Sequence, residues 1–388
     1  MRLRLQGDVA PDRFAFDEMC MVPRGIMKLD AKEERMDNAE VKRVELHCHT
    51  KMSKLDGLTP MEGLVKQAIR WGHKALAITD HGVVQAFPFC FDAAEGSDLK
   101  LIFGMEGYLI SDRQTKDDAV DTENPDAATK GKSKISSHHI IILAKNDVGR
   151  INLYRLISQS NLTYLQNVAD SEESAGEPPQ GLILGSACEA GELFQAILRG
   201  IPEEELGKIA NFYDYLEVQP LGNNAFMLRD EKSSVNTWED LQDLNRKVIE
   251  LGEQWNKPVC ATCDVHFLDP EDEVYRRIIM AGRGFDDADD QAPLYLHTTE
   301  EMLEEFSYLG SDKAEEIVIT NTNMIADMIE TIAPVRPDKC PPVIPDSDKT
   351  LTEICYNRAH EIYGPDLPQI VEARLEKELN SIIKTDLP

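Results

Sequence analysis

The chain has no run of 18 consecutive apolar residues, which removes a membrane-spanning helix from consideration. Its opening stretch, MRLRLQGDVAPDRF, holds no apolar signal core, so the chain is expected to be cytoplasmic rather than exported. In that reducing compartment its 8 cysteines are expected to be thiols, not a disulfide frame. Basic residues are scarce: 41 Lys and Arg stand against 70 Asp and Glu, a formal charge of −29. A surface that acidic repels a phosphate backbone, so DNA would be met only through partners or bound cations. There is no sequence repeat. What remains is 388 residues, 42% of them hydrophobic, enough for two to three domains or one large barrel with appendages.

The positive signal is architectural. Short β-branched runs at Val44–Cys48, Ala75–Thr79, Leu101–Ile110, His139–Ala144, Leu182–Ser186, Tyr215–Gln219 and Pro258–Thr262 alternate with helical stretches. Thr59–Trp71 is one such stretch, with Thr59 as the expected cap, Pro60 at the first helical position and Met61, Leu64, Val65, Ala68 and Ile69 on one face. Asp147–Leu162, Gly191–Leu198, Glu203–Tyr213 and Trp238–Trp255 read as further helices. Strands alternating with helices predict parallel pairing and an α/β fold, as an open sheet or a closed barrel. Ser111–Ser137 breaks the rhythm as a polar loop or insertion point. Leu3–Leu29 reads as two strands around a turn at Asp8–Asp12. Residues 298–332 read as helical, Pro334–Pro345 as a stiff proline-rich linker, and Leu351–Ile383 as two more helices.

Chemistry concentrates at the ends of the strand runs. His47 and His49 close the first run, and period two sends both imidazoles to one face. Asp56 follows shortly after. Asp80 and His81 end the second run, Glu106 lies in the third, and His139 opens the fourth. Cys188 follows the fifth run, and Asp264 and His266 follow the seventh. Each motif alone has a bland reading: an incidental HxH, a turn, a strand-end salt bridge, a buried small residue. Jointly they fall where barrel and open-sheet active sites collect, at the carboxyl ends of strands. Imidazole and carboxylate suit Zn, Mn or Fe, and five histidines, three acids and a cysteine exceed the needs of one ion. Two or three divalent metal ions are therefore expected. Metals about 4 Å apart can activate water and stabilise a leaving oxygen, which is phosphoester hydrolysis.

Other groups are set aside. Cys260 and Cys263 match CxxC but fall on opposite faces of a strand. His73, His138, His297 and His360 are expected at the surface or behind the ligands. The acidic run Asp286–Asp290 reads as a loop. Lys51, Lys54 and Arg283 are the nearest cations for a substrate phosphate.

The segments HCHTKMSKLDG, ITDHG, GMEGY, HHIIILAKN, GSACEAGELF and ATCDVHFL resemble, in order, the motifs of the polymerase and histidinol phosphatase (PHP) domain, in the form carried by PolC-type bacterial DNA polymerase III. The resemblance covers most of the chain and implies a distorted seven-stranded (β/α) TIM-like barrel with small flanking β and α segments. It implies a trinuclear site with ligands His47, His49, Asp56, His81, Glu106, His139, Cys188, Asp264 and His266. Asp264, His266 and His47 would carry catalysis, and Asp80 would orient ligand histidines. The implied organisation is the end of an OB-like module and linker over 1–40 and the metal-binding barrel over 41–297. A helical segment and Pro-rich linker over 298–345 and the start of a polymerase portion over 346–388 would follow. Residues 111–137 would mark the place where relatives carry an exonuclease. The implied context is DNA replication, with other parts of the replicase as partners. Because His139 opens its run, that strand is expected to return antiparallel from Tyr108–Ile110. Two other readings remain open: a metal-stapled structural domain bracing the replicase, and a small-molecule phosphatase of the histidinol-phosphatase type.

Overall fold

A computed structural model describes residues 3–11, 19–28, 35–54, 56–110, 137–164, 180–230, 233–285, 288–338, 342 and 344–384. It divides into two compact units, Met1–Pro334 and Val335–Pro388. The second unit holds two helices, Ser347–Tyr363 and Gln369–Lys384.

The first unit opens with an antiparallel pair, β1 (Leu3–Pro11) and β2 (Met19–Lys28). The turn expected at Asp8–Asp12 is not there: Asp8 pairs with Val22, and β1 runs on to Pro11. Next come α1 (Met61–Trp71), β3 (Ala75–Ile78), α2 (Phe87–Ala93), β4 (Lys100–Leu109), β5 (His138–Ala144) and α3 (Asp147–Gln159). β6 (Leu182–Gly185), α4 (Glu192–Leu198), α5 (Glu203–Phe212), β7 (Leu216–Val218), α6 (Trp238–Gln254), β8 (Val259–Ala261) and α7 (Glu273–Gly282) follow. Three short helices end the unit: α8 (Thr299–Glu305), α9 (Ser311–Glu315) and α10 (Asn321–Asp327). The fold is mixed α/β.

α1 carries Met61, Leu64, Val65, Ala68 and Trp71 into the core, as its period demands. Its cap differs from the expectation. Pro60 holds the N-cap position in an extended conformation, and no side chain caps the helix.

β3–β4–β5–β6 form one sheet and β7–β8 a parallel pair. β3 and β4 are parallel, but β5 is antiparallel to both β4 and β6. The purely parallel expectation therefore fails at β5, and the expected return from β4 into β5 is present, with Tyr108 opposite His139. The run Val44–Cys48 is not a continuous strand. It makes parallel bridges only at Glu45 to Leu76 and Cys48 to Val265. Its amide hydrogens are spent elsewhere: Val44 donates to Thr322 Oγ1 (3.1 Å), His47 to Glu45 Oε1 (2.9 Å) and Cys48 to Thr79 Oγ1 (2.8 Å). Side chains take over those amides, while the carbonyls of Glu45, His47 and Cys48 still accept from Ala77 N, Val265 N and Thr79 N.

Period two divides the core. Ala75 and Ala77 of β3 join Ile141 and Leu143 of β5 in an inner cluster, while Leu76, Ile78, Ile140 and Ile142 face the outer helices. Ile325 and Ala326 of α10 belong to the inner cluster. Lys100, the first residue of β4, donates to Ala326 O (2.6 Å) and Ile329 O (2.9 Å). α10 thus closes the end where β4 begins, leaving the other end of β4 for the histidines and acids. Met302 and Phe306, fully buried, fasten the α8 region to the outer cluster.

Candidate metal centre

At the carboxyl end of β4 the nine residues singled out in the sequence converge. Glu106 is the hub, with 1% of its side chain exposed. Its Oε1 lies 2.7 Å from His139 Nδ1 and 3.5 Å from His47 Nε2. Its Oε2 lies 2.6 Å from His81 Nδ1 and 3.4 Å from His49 Nε2. Asp264 Oδ1 faces His47 Nε2 at 3.2 Å and His49 Nε2 at 3.3 Å. Asp56 Oδ2 faces His81 Nε2 at 3.2 Å and His266 Nε2 at 3.3 Å. Cys188 Sγ lies 3.4 Å from His139 Nδ1 and 3.7 Å from Glu106 Oε1. The reversal of β5 is what delivers His139, since the start of β5 lies beside the end of β4.

The histidines are held from behind. His47 Nδ1 lies 3.1 Å from buried Glu217 Oε2 and donates to it, which leaves Nε2 as the nitrogen turned toward the cluster. His266 Nδ1 donates to the Asp264 carbonyl (2.8 Å) with the same result. Ser53 Oγ donates to Asp80 Oδ1 (2.7 Å), leaving its lone pair to accept from His49 Nδ1 (2.9 Å). Asp80 therefore touches no ligand candidate by its carboxylate; it reaches His49 through Ser53. Its other contacts are Thr50 N (2.7 Å) and Thr50 Oγ1 (2.9 Å). Three Nε2 atoms, those of His47, His49 and His266, thus turn inward.

The backbone carries strain here. Among the described residues, four non-glycine positions have positive φ, and two of them, Ala187 (59°) and Asp264 (55°), belong to this site. Left-handed backbone at such residues is unfavourable and persists where surrounding structure enforces it.

Electrostatics follow from crowding. Burial opposes charge on Glu106, yet His47, His139 and His81 hold its pKa well below the usual carboxylate range. Asp56 and Asp264 are likewise held low: burial is outweighed by His266 and His81 at Asp56, and by His47 and His266 at Asp264. Burial lowers His49 to about 3, with adjacent His266 contributing. His81 goes the other way, to about 10, because Asp56 and Glu106 outweigh its burial. Burial pushes the Cys188 thiol up, and neighbouring Glu189 and Glu106 push it further.

These residues fit divalent metal ions. Glu106 Oε2, Asp264 Oδ1 and His81 Nδ1 are buried without a hydrogen bond of acceptable geometry. Buried, ionised oxygens so placed call for a cation. His49, His81 and His266 offer ligand atoms within 4.8 Å of one another; so do His47, His49 and Asp264, and so do Glu106, His139 and Cys188. Nitrogen, oxygen and sulfur donors in such groups suit Zn, Mn or Fe.

Several functional neighbours escaped the sequence reading. Glu189 joins Cys188 and Asp264 in a further three-ligand group. Glu217 was detectable as a lone acid in an apolar strand. Ser53 and Arg276 gave no local signal. Arg276 donates to Asp56 Oδ1 (2.7 Å) from a residue 220 positions away. The set-aside histidines divide: His360 is exposed, whereas His73 (4% exposed), His138 (6%) and His297 (1%) are buried rather than at the surface. His73 Nε2 lies 3.1 Å from Asp37 Oδ2. Lys51, Lys54 and Arg283 line no part of the cleft of about 320 Å³ over the cluster, whereas Arg276 does. Asp290 of the acidic run lines it too; Asp286 and Asp287 lie outside the described residues. Cys260 and Cys263 fall in different core clusters, as opposite faces require.

The chain is similar to known proteins over most of its length. Residues 45–220 match the PHP domain. The chain is 34% identical to a PolC-type DNA polymerase III of Clostridium perfringens, over 98% of this chain and 38% of the relative. It is 32% identical to the PolC-type protein of Caldanaerobacter subterraneus, over 98% of this chain and 40% of the relative. The chain thus spans about two fifths of the length of these relatives. The first alignment runs over 562 residues, longer than the chain itself, so the relative holds residues that this chain lacks. A crystal structure of a two-domain protein from Bacteroides vulgatus, described as containing a PHP-like metal-dependent phosphoesterase, aligns at 14% identity and a TM-score of 0.32, over 61% of this chain and 57% of its own. Among the described residues no helix is long and apolar enough to cross a membrane. Residues 45–220 of this chain belong to the PHP domain family, in the form similar to that of PolC-type DNA polymerase III.

Proposed function

We propose that the cluster binds two or three divalent metal ions and that the loaded centre hydrolyses a phosphoester, in a protein serving DNA replication. The ligands are His47, His49, Asp56, His81, Glu106, His139, Cys188, Asp264 and His266. The observation that carries the reading is their convergence around buried oxygens that no protein donor satisfies. Bound there, divalent ions would supply Lewis acidity and lower the pKa of water. The chain's own residues do the rest. Glu217 and Ser53 fix the rings of His47 and His49 so that Nε2 faces inward. Asp264 and His266 line the open cleft and carry catalysis with His47 behind them. Asp80 steadies His49 through Ser53.

The bridges at Glu45, Cys48 and Gly185 support a ring of seven strand segments, a distorted (β/α) barrel over 41–297. In this reading 1–40 ends an OB-like module, 298–345 is a helical segment and linker, and 346–388 opens a polymerase portion. The partners are other parts of the replicase, and DNA reaches the acidic surface only through them or through the metals.

The test is hydrolysis of a DNA 3′ end by the purified chain with added Mn²⁺. Asp264→Asn and His47→Ala should each abolish it; unchanged rates in both would overturn the proposal. A second reading, a metal-stapled brace without hydrolysis, has one observation in its favour: the nine residues come from separate stretches that a bound ion would tie together. Metal binding without turnover would select it.

A further inference from the structure

The cleft over the cluster is walled by acids. Asp56, Glu106, Glu189, Asp264 and Asp290 line it, and Arg276 is the one Lys or Arg among its lining residues. A phosphoester is itself an anion, so this wall opposes its entry unless cations offset it. Two bound divalent ions would be largely balanced by Asp56, Glu106, Asp264 and a Cys188 thiolate. Arg276 is the one fixed cation of Lys or Arg type that the lining adds.

Its setting is built. Arg276 projects from α7 with 11% of its side chain exposed. One terminal nitrogen donates to Asp56 Oδ1 (2.7 Å), the other to Gln291 Oε1 (2.7 Å), and Nε has no partner. These contacts hold the guanidinium plane at the edge of the cluster, next to the carboxylate whose other oxygen faces His81 and His266. A planar guanidinium offers paired N–H groups that match two phosphate oxygens, and a fixed one loses little freedom on engaging them.

We propose that Arg276 receives the phosphoryl group of the substrate and makes the cleft favour phosphate monoesters, a DNA 3′-phosphate end included, over diesters and neutral esters, which carry less charge. The proposal rests on the phosphoesterase reading. It names a residue for substrate recognition that stands 10 positions beyond His266, outside the ligand motifs.

The test uses the Mn²⁺-loaded full chain and inorganic phosphate as the probe, followed by calorimetry, with metal content measured in parallel. Arg276→Ala should weaken phosphate binding about tenfold or more, and Arg276→Lys should restore part of it, with metal content unchanged in both. With p-nitrophenyl phosphate as substrate, KM should rise in both variants while kcat changes less; bis(p-nitrophenyl) phosphate should be affected less. Unaltered phosphate affinity in Arg276→Ala would overturn the proposal. So would a loss of phosphate binding that tracks lost metal in both variants, since Arg276 would then act only by holding Asp56. Tight, Arg276-dependent phosphate binding without any turnover would sink the phosphoesterase reading and leave the phosphate site standing.

Discussion

Glu217→Gln is the sharpest probe of the metal centre, because it removes one charge and almost no volume. Glu217 is 3% exposed, and its Oε2 takes hydrogen bonds from His47 Nδ1 (3.1 Å) and Thr262 Oγ1 (2.9 Å). The glutamine amide can still present an oxygen to His47, so the ring should keep its orientation. What disappears is the negative charge that makes His47 Nε2 a better donor. Loss of such a carboxylate behind a ligand histidine costs about 10–100-fold in metal affinity, or about 1.4–2.7 kcal/mol. Glu217→Ala should do more, because it also strands two buried donors at roughly 1–3 kcal/mol each, and the fold itself should weaken. The assay is competition for Mn²⁺ or Zn²⁺ against a chromogenic chelator, alongside thermal melts. Exposed Glu239→Gln serves as the control. Glu217→Gln with wild-type affinity would refute the reasoning: His47 would not then be a ligand oriented from its Nδ1 side.

Two other outcomes are expected. Chelation of the loaded protein should lower Tm by several degrees, since a ligand present at 100 times its Kd stabilises by about 2.7 kcal/mol; superimposable melts would show that the metals do not support the native state. Asp37→Asn should destabilise by roughly 1–3 kcal/mol, because Asp37 Oδ2 accepts from Thr299 N (2.8 Å), Thr299 Oγ1 (2.8 Å) and His73. The sign with pH follows from both partners. Asp37 is held low by His73 and Thr299 against its burial, so its contribution is present above about pH 4 and fades below it. Burial lowers His73, so protonation of the unfolded chain removes stability as pH falls through about 6.5. Below about pH 4 denaturant midpoints should therefore fall less steeply in Asp37→Asn, which lacks the titrating carboxylate, while the fall through about pH 6.5 set by His73 persists in both chains.

Much of the centre was legible because ligands in such a fold obey strand arithmetic. His47 and His49 share a face two residues apart, even though backbone pairing there is broken by Thr322, Glu45 and Thr79. The alternation of Ala75–Ile78 between two core clusters is the same arithmetic applied to packing. His139 entered the ligand set through the family resemblance, although a histidine at the start of a parallel strand would lie at the wrong end; the antiparallel β5 removes that conflict. What stayed hidden depends on chain segments that meet only in three dimensions. The burial of His73 needs Asp37 and Thr299, and the role of Arg276 needs Asp56, 220 residues earlier. Periodicity reports which way a side chain faces, not what covers it.

The antiparallel step from β4 to β5 has a consequence for how such a domain can grow. Leu109 pairs directly with His138, so whatever joins them leaves and re-enters the sheet at neighbouring points. A connection between paired ends can lengthen at small entropic cost, because loop closure grows only with the logarithm of its length. A whole folded unit could be spliced in without changing the register of either strand. Its two tethers would emerge beside His139, at the rim of the metal centre. The same reversed strand that completes the ligand cluster is therefore a docking port in the covalent sense, at which a guest domain is fixed next to the site from the moment it is inserted.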